Sequence, residues 1–431
     1  MKYTYTLIAV CLLFMGTLYS CSPKVNTGLV PVSNVKHLGL TEKNIDRLDS
    51  LLGSALINQW AAEASALVAK NGQIIFNKSI GFRDRETKAL GRNIDEYRLG
   101  ALSQPIVSLA ALLLIEKGKL NLDDKVAKYI PQFLNPKVIL SINDKDTTFT
   151  TQPALSDITI RQLLNQTSGI AGAGNSPIAM IYQKNNIPLF ASDENITIQP
   201  KMQKLATLPL AVQPGTQYIN GLNADVLGAV IEKASGLSLD SVVSQSILRP
   251  LGMVNTYFFL PLTKANRLST MYSELPNGKL QRSPMVQKHF NLNYPIAGAK
   301  SYLSGASGMV STAEDYAKFL QMILNKGVFN QKQIATTQSI ALLSNNQIGS
   351  LMVGDNMFTF GFDLASNNNP ITKAKPMKIS RKGEFNTYCW VDSQRGVIAL
   401  LFTQVYPSIH GEMLFTDFER VVNELFDGAK Q

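Results

Sequence analysis

A serine hydroxyl attacks a carbonyl only when a neighbouring group takes its proton. A lysine three residues on, on the same helix face, is one arrangement that does so. The literal Ser-x-x-Lys of this chain, Ser33-Asn-Val-Lys36, falls in a polar stretch ahead of the first helix and reads as chance spacing. At the start of the most apolar helix the residues are Ala101-Leu-Ser-Gln104. Ala101 offers no nucleophile, Gln104 cannot act as a base, and Ser103 has Ile106 three residues on. Arg381-Lys382 supplies positive charge able to attract a carboxylate. No His/Cys/carboxylate cluster has metal-ligand spacing, so neither a metal nor another cofactor is expected.

The elements that must position these residues follow from patterning. Ile45, Leu48, Leu52 and Leu56 recur at helical spacing and predict an amphipathic helix over Thr41–Trp60. Ala66–Phe76 reads as a hairpin turning at Asn71-Gly72. Leu109, Leu112, Leu113 and Ile115 leave no polar face on the next helix, which must be buried and stops at Gly118. Asn135–Asp157 reads as a polar loop or small insertion, and Ala171–Lys201 as irregular chain over a cleft. Ser311 or Thr312 caps a helix with Glu314 and Asp315 in its first turn. Thr387–Val391 and Val397–Gln404 form a closing hairpin, and Glu412–Phe426 a last amphipathic helix.

Several of these stretches resemble the serine β-lactamase-like family, which includes class C β-lactamases, DD-peptidases and related esterases. Glu116-Lys-Gly-Lys-Leu-Asn-Leu-Asp-Asp124, Ile158–Ile170, Pro214-Gly-Thr216 with Leu227–Gly236, Leu248–Thr256 and Ser304–Phe319 match family segments. The resemblance runs from about Thr41 to the C-terminus. It implies an α+β fold: an antiparallel β-sheet flanked by helices, with an inserted mainly helical subdomain and a cleft between the two. The family's Ser-x-x-Lys falls on Ala101 and Gln104, and its usual histidine before Thr-Ser-Gly on Gln166. Its Tyr-x-Asn, a phenol for proton relay and an amide for orienting substrate, is met by Tyr218-Ile-Asn220. The register differs: counting from Pro214 puts Asn220 at the tyrosine site, and counting back from Gly228 puts Ile219 there. The third motif, His-x-Gly or Lys-Thr-Gly, becomes Arg381-Lys382-Gly383, with Lys382 expected on the other strand face. The family's oxyanion hole uses backbone N–H groups, which here would be those of Ala101 and of the strand near Glu384 and Phe385. His37, His289 and His410 lie outside the matching motifs and give a Ser-His triad no support.

Lys2 and the apolar run Leu7–Leu18 read as a secretory signal, and Leu18-Tyr-Ser-Cys21 resembles a lipoprotein cleavage box. The expected organisation is a signal peptide over 1–20, a lipid-anchored tether over 21–40, and one domain over 41–431. Its α/β part covers about 41–130 and 300–431, and its helical part about 131–299. Cys21 is then the lipidation site and the bacterial envelope the location, outside the cytoplasm. Besides Cys11 and Cys21 the chain has only Cys389, which excludes a disulfide framework. The net charge of +10 comes with no basic block, so nucleic-acid binding is not expected. These readings predict a catalytically inactive homologue holding a wall-peptide-like or other carboxylate ligand through Ala101, Ser103, Gln104, Tyr218, Asn220, Arg381, Lys382, Gly383 and Glu384. The alternative is an active serine hydrolase, an esterase or a peptidase-type enzyme, with a non-standard nucleophile.

Overall fold

A computed structural model describes residues 27–32, 34–143, 145–172, 176–287, 290–366 and 378–427. The expected signal peptide and Cys21 lie outside the described residues. Helix α1 (Glu42–Ile57) begins at Thr41, whose hydroxyl accepts from the Asn44 N–H while the Asn44 side chain accepts from the Thr41 N–H. That reciprocal pair is a capping box. Strands β1 (Glu63–Lys70) and β2 (Gln73–Asp84) follow. Asn71 and Gly72 both take positive φ between them, the backbone that a two-residue hairpin turn needs. Later in the chain come β3 (Asn356–Phe358), β4 (Asp363–Ala365), β5 (Lys378–Gly383), β6 (Thr387–Asp392) and β7 (Val397–Phe402). These seven strands lie in the order β2-β1-β7-β6-β5-β4-β3, each pair antiparallel, and the two-residue strand Val30–Pro31 adds a parallel edge beside β2.

Alternation along the strands divides the core in two. Ala64, Ala66, Val68, Tyr388, Trp390, Ala399 and Leu401 face α1 and the C-terminal helix α5 (Gly411–Asp427). Leu67, Ala69, Cys389, Val391, Ile398, Leu400 and Phe402 face the other way, toward α2 (Ser103–Glu116). Twelve of the fourteen residues of α2 are buried, which explains its lack of a polar face. It packs on α3 (Asn223–Ser235) of the helical part and carries position 104 to the junction of the two layers. Helix α4 (Ala313–Leu324) lies against the same sheet face, its first turn capped by the Thr312 hydroxyl.

Three expectations change. Ala171–Lys201 is not irregular throughout, because Pro177–Lys184 forms a helix and a second, Ile198–Leu205, starts near its end. Asn135–Asp157 is not a plain loop but a hairpin of Lys137–Ile142 and Phe149–Pro153. The segment expected as a tether over 21–40 is docked over its second part. Val30–Pro31 pairs in parallel with β2, and Leu40 is buried. Among the described residues no helix is long and apolar enough to cross a membrane.

Behind Tyr97 lie buried carboxyls. Glu63 accepts from the Ser79 and Ser269 hydroxyls, and burial pushes its pKa up to about 7. Neither carboxyl oxygen of Glu96 has a hydrogen-bond partner, and burial pushes its pKa up to about 8. An ordinary value of 4.5 applies to both when unfolded. Between pH 4.5 and about 8 the folded chain therefore holds more protons than the unfolded chain. Stability should fall as pH rises through that window, by about 1.4 kcal/mol per pH unit for each group involved. Glu96→Gln should flatten the decline in urea melts between pH 5 and 8; an unchanged slope would refute the assignment.

Candidate functional site

The cleft forms where the start of α2, the loop before α3 and the end of β5 meet. A 3-10 turn, Gly100–Leu102, leads into α2. Gly100 has φ +57°, and a Cβ built there would stand 2.5 Å from Glu384 Oε2. Only glycine both takes this backbone and leaves room for that carboxylate. Glu384 uses the space: the Ala101 N–H donates to its Oε2 at 2.8 Å. Gly383 is required by close approach, since a Cβ there would lie 2.3 Å from Leu99 O and equally close to Thr387 Oγ1. Thr387 Oγ1 donates to Leu99 O (2.9 Å), fixing β6 to the segment ahead of α2.

Arg381, 3% exposed, is the hub of the site. Its Nη2 donates to Gln104 Oε1 (2.6 Å) and Asn220 Oδ1 (3.2 Å), and its Nη1 to the Tyr218 hydroxyl (3.4 Å). Asp363 on β4 lies 3.7 Å from Nη1, and the guanidinium sits 5.3 Å from the centre of the Phe358 ring. Burial alone would pull the Arg381 pKa down, but Tyr218 and Asp363 hold it above the usual arginine range. Gln104 Nε2 in turn donates to Asn220 Oδ1 (3.3 Å). Gln166 binds this group from behind: its Nε2 donates to Gln104 Oε1 (3.4 Å), and its Oε1 accepts from Asn223 Nδ2 (2.7 Å).

In front lies a cavity of about 240 Å³ whose walls include Gln104, Asn220, Ser307, Glu384, Phe190 and Tyr406. The Ser307 hydroxyl is buried and has no hydrogen-bond partner. Burial raises the Glu384 carboxyl, against its own and the Ala101 N–H and the Arg381 charge, which lower it. Burial likewise raises the Tyr218 phenol against Arg381, so a ready phenolate base is not what the site holds.

The expected site residues thus divide. Ala101, Gln104, Tyr218, Asn220, Arg381, Gly383 and Glu384 come together. Ser103 does not reach the cleft: it is fully buried and its Oγ accepts from the Met309 N–H (3.2 Å). Lys382 also leaves the set, because strand alternation turns it outward to pair with Glu412. The Ala101 N–H, expected as a donor open to ligand, is taken by Glu384. Asn220, rather than Ile219 or Tyr218, lines the cavity beside Gln104; Tyr218 leans on Phe358 with ring centres 4.8 Å apart. Sequence reasoning missed Asp363, Phe358 and Ser307, for which no local pattern signals a role. Among the described residues no cluster suits a metal ion.

The comparisons with known proteins agree with this geometry. The Beta-lactamase family model matches residues 45–415. Esterase EstB of Burkholderia gladioli is 27% identical over 391 residues, covering 85% of this chain and 92% of that protein. Protein Rv1367c of Mycobacterium tuberculosis is 26% identical over 363 residues, covering 80% and 86%. Among solved structures, EstCE1, a hydrolase with promiscuous acyltransferase activity, superposes with a TM-score of 0.74 at 22% identity, covering 88% of this chain and 98% of that one. With the antiparallel sheet, the buried α2 and the three meeting segments of the cleft, the match places this chain in the β-lactamase family of serine hydrolases.

Proposed function

We propose that this member of the family is catalytically silent, is anchored to the bacterial envelope through a lipid on Cys21, and uses the cleft to bind rather than to turn over. One observation carries the reading. Where the family has its nucleophile and base stand Ala101 and Gln104, and the Glu384 carboxylate accepts the Ala101 N–H where an oxyanion would form. Acyl transfer needs an activated nucleophile and a free donor for the developing negative charge. The ligand class is a carboxylate, such as the end of a wall peptide. Its oxygens would take the Ala101 N–H when the Glu384 side chain swings away, so binding is a competition with a resident carboxylate.

The second reading, an active hydrolase, is favoured by the similarity to an esterase over most of both chains and by the unpartnered Ser307 hydroxyl in the cavity. Intact mass after exposure to a fluorophosphonate and to a penicillin separates the two. The expected result is no adduct, with an active family member labelled alongside; a covalent adduct mapping to Ser307 would establish the second reading instead.

The geometry also says what restoring the chemistry would take. Gln104→Lys alone sets a second cation against the Arg381 guanidinium and should cost on the order of 3 kcal/mol of stability. Ala101→Ser with Gln104→Lys should remain unreactive to the fluorophosphonate. Adding Arg381→His and Glu384→Gly, which remove the competing cation and the resident carboxylate, should bring labelling at position 101. Labelling of the double variant alone would show that neither Arg381 nor Glu384 blocks the site.

A further inference from the structure

A second cavity, of about 260 Å³, shares no wall residue with the cleft. Its walls include Arg83, Asp84, Arg98, Thr270, Arg282 and Ser283. Arg83 is paired with Asp95 (3.3 Å), and Arg282 with Asp84 (3.0 Å) and Glu86 (3.3 Å). Arg98 is different. It is 3% exposed, its Nη1 donates to Ser269 O (3.0 Å) and Gln404 Oε1 (3.4 Å), and its Nη2 donates to Leu292 O (3.0 Å). Its Nε has no hydrogen-bond partner, and among the described residues no carboxylate pairs with it. Every acidic residue of the chain except Asp144 belongs to the described set.

A buried charge is ordinarily paired, because taking an ion out of water without a counter-ion is costly. Three neutral carbonyl oxygens accept from the Arg98 guanidinium, and none of them neutralises its charge. The guanidinium is still a cation at neutral pH, since burial lowers its pKa only to about 10. The volume beside it is many times what one water requires, and a planar guanidinium is the side chain best matched to carboxylate and phosphate oxygens. We propose that the cavity walled by Arg98, Arg83 and Arg282 is a binding site for a small oxyanion, a carboxylate or a phosphate group, which supplies the counter-charge that the chain itself does not.

The test uses the full chain, with inorganic phosphate and acetate as probes at constant ionic strength and chloride as the control. Calorimetry should show one-to-one binding of at least one of the two, with a matching rise in Tm beyond that in chloride. Arg98→Met should weaken that binding at least tenfold. If that variant does not fold, Ala89→Glu decides, since it leaves Arg98 in place and adds a resident carboxylate to the cavity wall; it too should abolish the response. Gln104→Ala in the cleft should leave it unchanged, which separates this site from any carboxylate binding there. No response to either anion beyond chloride, an undiminished response in Ala89→Glu, or loss of the response in Gln104→Ala would overturn the proposal.

Discussion

A guanidinium enclosed between two layers of a protein fixes the character of everything around it, and Arg381 is that group here. Four side chains from three separate segments meet it: Gln104 at the start of α2, Tyr218 and Asn220 before α3, and Asp363 on β4. Each must be neutral or negative, because a second cation within a few ångströms in a low-dielectric site would be driven out or deprotonated. Gln104 suits this arrangement, since its carbonyl oxygen accepts from Arg381 while its amide donates to Asn220. The junction is packed and hydrogen-bonded, not eroded.

The donor at position 101 is also met from within the chain. A buried N–H without an acceptor costs about 1–3 kcal/mol. The backbone of residue 101 is held by the Gly100 turn and by the close contact of Gly383 with Leu99. Glu384 answers that donor with its carboxyl oxygen, and burial raises its pKa against the lowering by Arg381 and by the peptide N–H groups it meets. A ligand entering the cavity therefore meets a surface whose strongest acceptor already has its partner. Affinity there depends on the difference between two carboxylates, one tethered and one free, and the tethered one starts with the advantage of proximity.

Much of the frame was legible from residues close together in the chain. Asn71-Gly72 announced its hairpin, Thr41 its helix start, and the Leu-rich run after Pro105 its burial, because each is set by neighbours within a few positions. Strand alternation even placed Lys382 on the outer face. The site was legible only as a set of positions. Gln104 finds Arg381 across 277 residues, and nothing near either one states that the acceptor and the donor will meet. Ser103 looked available as a hydroxyl, but the depth of α2 turned it into an acceptor for the Met309 N–H. The docking of Val30–Pro31 was not legible for a similar reason: a two-residue parallel pairing carries no periodic signal.

Two buried arginines then divide the molecule by how their charge is met. Arg381 has Asp363 beside it and Glu384 within electrostatic reach, so its charge is balanced inside the chain and its hydrogen bonds hold three segments in register. Arg98 binds two backbone carbonyls and one side-chain amide oxygen, which orient it without neutralising it. The first has counter-charge within the chain, although its Nε, like that of Arg98, has no hydrogen-bond partner. The second is incomplete without an anion, and it opens on a cavity large enough to admit one. Unmet buried charge marks a place where outside chemistry can enter. By that criterion an unmet charge lies beside Arg98, on the approach to α2.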